Sequence, residues 1–155
     1  MQKDILILRD PFNLFASRIR AGLLMGHHTH HGAKPISGKI LNRLYKQHAR
    51  EFLGQKRNLR NKVPVNFISW TTDAEYRREI AEKLEIPFLD KGFREVPKVA
   101  GGSSFDGTKY SGKTHEMKLH ERWKHYANDQ EFWSLFDEEL IELTAQIFGN
   151  LPAVE

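Results

Sequence analysis

The chain opens with a junction that narrows its folding options at once: the apolar run Ile5-Leu6-Ile7-Leu8 ends in Arg9 and passes directly into Asp10-Pro11. Four apolar residues between polar flanks are too few for a helix and suit a buried parallel strand. Asp10 can cap the helix that follows, and Pro11 fits the first helical turn, where its missing N–H costs nothing. Arg9 is thereby set at the carboxyl end of a strand, the place where open α/β sheets bind ligands. Ser17 lies two turns along the predicted helix, and Arg18 adds a further cation. A fixed guanidinium with a hydroxyl in reach suits a phosphate or sulfate group.

One later segment repeats the strand-and-helix logic. Lys62 to Trp70 alternates around Val65, Phe67 and Ser69 and predicts a second strand running to Trp70. Before it, Lys39 to Phe52 carries Ile40, Leu41, Leu44, Tyr45, His48 and Phe52 at helical spacing. After it, Thr72 or Asp73 caps a helix over Ala74 to Leu84, closed by Pro87. Pro97 to Thr114 is punctuated by Gly101, Gly102, Gly107 and Gly112 and predicts a loop. Asn128 and Glu131 form a capping box for a tail helix whose apolar stripe runs from Phe132 to Phe148, with Gly149 ending it.

Taken together, these segments resemble the sulfotransferases that use 3′-phosphoadenosine 5′-phosphosulfate (PAPS). The opening strand, Arg9-Asp10-Pro11 and Ser17 eight residues after the arginine are similar to that family's 3′-phosphate element. Val65 to Trp70, leading into Tyr76 to Leu84 and Ile86-Pro87-Phe88, looks like its adenine block, with Trp70 where the family usually has tyrosine. Gly101-Gly102-Ser103-Ser104-Phe105 is similar to its Ser/Thr-Ser-Phe turn. The resemblance implies that Arg9 and Ser17 hold the 3′-phosphate and that Trp70 and Phe105 sandwich adenine, with Ser103 nearby. The family's Arg-Lys-Gly element is replaced by Gly112 to Trp123, where Lys113, Lys118 and Arg122 are the candidate substitutes. Gly112-Lys113-Thr114 is not a Walker lysine, since the motif's first glycine and preceding strand are missing.

The fold so implied is α/β: a helix-rich, P-loop NTPase-like sulfotransferase fold in which helices flank a partial parallel sheet. Residues 1–155 form one sulfotransferase-like domain, read as truncated on its N-terminal side. The family's 5′-phosphosulfate loop and catalytic base lie upstream of this segment, so no catalytic residue is assigned and the isolated chain is expected to be deficient in catalysis. PAPS is the implied donor, a hydroxyl or amine the implied acceptor, and no metal is expected. Partners beyond the nucleotide are a second copy or a complementing N-terminal half.

Composition bears on the competing readings. At 155 residues the chain can bury about two-thirds of its unfolded surface. With no cysteine it has no disulfide or thiolate nucleophile. No apolar run suits a membrane span and the N-terminus lacks a signal-peptide core, which favours the cytoplasm. The net charge of +4, with cations gathered between Lys34 and Lys62 around the single acid Glu51, fits an anionic partner. It also leaves open a non-catalytic basic module binding a nucleotide or polyanion. His27, His28, His30 and His31 flank Thr29 in a glycine-bounded loop that could lie in solvent, meet the acceptor or bind a transition metal. His115, His120 and His125, five residues apart, form no single helical ligand face. Asp137-Glu138-Glu139 reads as a solvated helix face.

Overall fold

The computed structural model describes residues 2–22, 36–98 and 101–149. The His27–His31 loop and Lys34 lie outside the described residues. The chain is helix-rich around a two-stranded parallel sheet, in keeping with the α/β expectation. β1 covers Asp4–Leu8, and β2 covers Lys62–Asn66, in register from Asp4 opposite Lys62 to Leu8 opposite Asn66. Parallel strands need a long crossover, which α1 (Pro11–Arg20) and α2 (Gly38–Phe52) supply. Beyond β2 come α3 (Phe67–Thr72), α4 (Ala74–Leu84), short 3-10 turns, α5 (Gln130–Trp133) and α6 (Glu138–Phe148). None of the described helices is long and apolar enough to cross a membrane.

Helix starts follow the side chains that cap them. Asp10 Oδ1 accepts the Asn13 amide at 2.9 Å with Pro11 in the first turn, as the sequence predicts. Asp73 caps α4 in the same way. Three expectations need correction. β2 stops at Asn66, not Trp70, because the Asn66 carboxamide accepts the Ile68 and Ser69 amides at 2.9 and 3.2 Å and turns the chain into α3. Trp70 is therefore helical. In the tail, Asp129 rather than Asn128 caps α5, and Asp137 caps a separate α6, so the apolar stripe is two helices and not one. Gly149 does end α6, at φ +76°.

The sheet separates two apolar layers. On one side Leu8, Phe15, Leu41, Tyr45, Phe132, Leu140 and Leu143 are buried together, packing β1, α1, α2, α5 and α6. On the other, Val63, Val65 and Ile80 form a smaller cluster under Trp70, Tyr76 and Leu84. Ile5 and Ile7 stand in register with Val63 and Val65 and so share their face, since the side-chain period of a strand is two. Yet they are 52% and 59% exposed. β1 is buried on one face only, which corrects the reading of a wholly buried strand.

Charges tie the elements together. Lys46 bridges α2 to both Asp137 and Glu139 at 2.6 and 2.9 Å, and Arg50 pairs with Glu139. Lys62 pairs with the buried Glu51. Asp137 and Glu139 at the start of α6 are thus partners of the α2 cations, not merely a solvated face, and Lys46, Arg50 and Lys62 of the basic run are paired internally. At the site end, the Tyr45 hydroxyl donates to the Arg9 carbonyl at 2.8 Å, fixing the carboxyl end of β1 against α2.

Candidate phosphate-binding site

Arg9 leaves the end of β1 beside the first two turns of α1. Its Nη1 reaches the Ser17 hydroxyl at 3.3 Å, so the serine eight residues on faces the same arginine. Its Nη2 donates to the Leu119 carbonyl at 2.9 Å. The guanidinium lies 5.2 Å from the Phe67 ring centroid, which supplies a wall from α3.

A second arginine arrives from far along the chain. Arg122 Nη1 approaches the same Ser17 hydroxyl at 3.4 Å, and its Nη2 donates to Ser103 at 2.7 Å and meets Asp106 at 3.3 Å. Its delivery depends on Asn13. This buried carboxamide accepts the Arg122 and Trp123 amides at 2.8 and 3.3 Å, pinning the loop onto α1. Ser103 sits in a tight loop closed by paired hydrogen bonds with Gly107, each 2.9 Å. Gly102 must be glycine there: at φ +84° a Cβ would stand 2.6 Å from the Gly107 carbonyl oxygen.

The two guanidinium groups crowd each other. Burial, and secondarily Arg122, push the pKa of Arg9 down to about 10. Burial also lowers that of Arg122, with Asp106 opposing. Both remain cations at neutral pH. Burial raises the carboxyl of Asp10 above its ordinary range, against the hydrogen bonds from Asn13 and the charge of Arg9. The Nε of each arginine is buried without a partner. Two desolvated cations, one of them paired with Asp106, meet at one neutral hydroxyl, and their forked donors suit an oxyanion.

Of the sequence candidates, Arg9, Ser17, Ser103 and Arg122 come together in this cluster. Phe105 lies against it, its ring 5.1 Å from the Arg122 guanidinium and 5.0 Å from the His125 ring. Trp70 lines an adjoining cleft of about 1250 Å³, with Phe67, Thr71, Arg77, Asp90 and His120 among its other walls. Phe105 does not line that cleft. Lys113 faces outward, paired with Glu116 at 3.5 Å and lying over Tyr110. Lys118 is exposed. Among the three substitutes for the family's Arg-Lys-Gly element, Arg122 is the one bonded into the cluster.

Sequence reasoning missed Asn13, Phe67, Asp106 and His120. Asn13 stands three residues after the cap, where a polar side chain reads as surface, and nothing local announces its distant partners. Its five-residue spacing from His115 and His125 places His120 in a scattered trio. In space its Nε2 lies 2.9 Å from the Thr71 hydroxyl and its ring meets Phe67 edge-on. Comparison of the chain with profiles of known protein families, with curated proteins and with solved structures finds no match.

Proposed function

We propose that this chain is a PAPS-dependent sulfotransferase-like domain whose two-arginine cluster receives the 3′-phosphate of the donor nucleotide. The observation that carries this reading is the convergence of Arg9 and Arg122, from opposite ends of the sequence, on the single hydroxyl of Ser17. Arg9 and Ser17 are the pair that the resemblance singles out, and Arg122 adds the second cation that a dianionic phosphate would use. In this reading Ser103 contributes a third polar contact, and the cleft beside Phe67 and Trp70 offers an aromatic wall to the base. Stacking on such a surface is worth ~1–3 kcal/mol on nucleic-acid scales. The reaction served is in-line transfer of a sulfuryl group to a hydroxyl or amine, in which positioning and charge stabilisation dominate.

Calorimetry with adenosine 3′,5′-bisphosphate, with adenosine 5′-monophosphate as control, tests the proposal. Preference for the bisphosphate by tenfold or more, abolished by Arg9→Ala and by Arg122→Ala, is the expected result. Equal, weak and salt-sensitive binding of both nucleotides would instead identify a generic anion surface.

A further inference from the structure

Between the arginine cluster and the aromatic cleft stands His120, which the phosphate contacts leave unused. It belongs to a short segment held at both ends: Leu119 accepts Arg9, and the Arg122 amide donates to Asn13. The ring is half-buried and fixed by Thr71 on α3. Thr71 Oγ1 lies 3.0 Å from the Phe67 carbonyl and 2.9 Å from that of Ile68. Its one proton is committed to these acceptors, so toward the imidazole the hydroxyl acts as acceptor and Nε2 carries the hydrogen. In the neutral ring Nδ1 is then a bare lone pair, and it is buried with no partner. The next proton the ring takes up goes to that nitrogen.

We propose that the anion site is proton-linked: occupancy of the Arg9–Arg122 cluster by a phosphate drives protonation of His120 at Nδ1, and protonated His120 in turn tightens the hold on the phosphate. The inference rests on the phosphate reading above and adds its regulation by pH. The charges facing His120 come from three places: Arg9 at the end of β1, Asp10 at the start of α1, and Arg122 on its own segment. The facing groups of α3, Thr71 and Phe67, carry no charge. Farther along the cleft stand His115, Arg94, Glu95 and the Arg77–Asp90 pair. With the cluster empty, burial holds the imidazole below its ordinary range; Asp10 opposes this, and Arg9 and Arg122 add to it. A dianion between the arginines cancels the field of those two cations while Asp10 remains. The net field on the ring then favours its charged form.

Linkage makes the effect reciprocal: a rise of about one unit in the His120 midpoint on binding equals a tenfold gain in affinity between the neutral and the protonated ring. The measurement is a histidine-ring NMR titration, free and with saturating adenosine 3′,5′-bisphosphate, the His120 resonance being assigned by its loss in His120→Gln. Sulfate, which does not titrate near neutrality, is the second probe. Glutamine retains an N–H for Thr71 but cannot be protonated. The expected result is an upward shift of the His120 midpoint by about one unit with either anion. Sulfate affinity should weaken severalfold from pH 5.5 to 8 in the native chain, the full tenfold requiring a pH well below the free midpoint, but stay flat in His120→Gln. Bisphosphate binding that Arg9→Ala abolishes, with an unmoved His120 midpoint, overturns the linkage and leaves the phosphate reading intact. Sulfate shifting His120 while the bisphosphate shows no advantage over the monophosphate sustains the linkage and removes the nucleotide reading. Failure of both anions to bind removes both.

Discussion

At the scale of single residues, the site depends on a side chain that touches no ligand. Asn13 satisfies two backbone amides of the arginine loop through one oxygen, while its own Nδ2 donates to Asp10 Oδ1 at 2.9 Å. Asn13→Ala would strip the side-chain partner from the Arg122 and Trp123 amides and remove one of the two hydrogen bonds to Asp10 Oδ1, leaving the backbone cap. A buried donor left unsatisfied costs about 1–3 kcal/mol, so denaturant unfolding should show a loss of at least that size. Arg122 would also lose its placement, and bisphosphate affinity should fall along with stability. Asn13→Asp distinguishes the two roles: it keeps the acceptor for both amides but places a second carboxylate beside Asp10. Its expected signature is weaker anion binding at pH 7 that recovers partly as the pH is lowered.

At the scale of elements, what could be read in the sequence were the features written locally. The cap at Asp10, the helix after Asp73 and the eight-residue interval from Arg9 to Ser17 depend on neighbours in sequence, and each is where spacing puts it. The end of β2 is not legible in the sequence because Val65, Phe67 and Ser69 continue a period of two while the Asn66 side chain offers the backbone a different set of hydrogen bonds. The arrival of Arg122 at Ser17 was legible only as a candidate, because 105 residues separate them and no spacing rule spans that interval. Gly102 belongs to this scale too, since the hairpin-like turn from Ser103 to Gly107 presents both Ser103 and Phe105. Gly102→Ala forces a Cβ into the Gly107 carbonyl in a conformation that L-residues rarely adopt. Such a change should destabilise by more than the ~0.4–1 kcal/mol that a strain-free glycine-to-alanine exchange gains. Its test is whether bisphosphate binding drops while the far-ultraviolet circular dichroism of the helices is retained.

For the whole molecule, the carboxyl groups pull acid stability in two directions. The hydrogen bond from Arg77 to Asp90 lowers the Asp90 pKa. At Asp137 burial acts to raise the pKa, but the hydrogen bonds from Lys46 and Leu140 outweigh it and the net shift is down. The stability these two contribute is present above the ordinary carboxylate range and is lost as pH falls through their lowered folded values. Asp10 has the opposite sign. Its folded pKa is raised, so the folded state binds its proton more readily than the unfolded chain does, and this contribution falls away as pH rises through the folded value. Asp10→Asn separates the two trends, because asparagine caps a helix about as well as aspartate and has no proton to exchange. Urea midpoints should fall for both proteins as the pH drops from 7 toward 3. The stability of Asp10→Asn relative to the native chain should be greatest at pH 7 and shrink toward acid, where native Asp10 is protonated. A stability difference that does not change with pH would mean that Asp10 is ordinary in its titration, and that the buried charge between β1 and α1 carries no electrostatic cost.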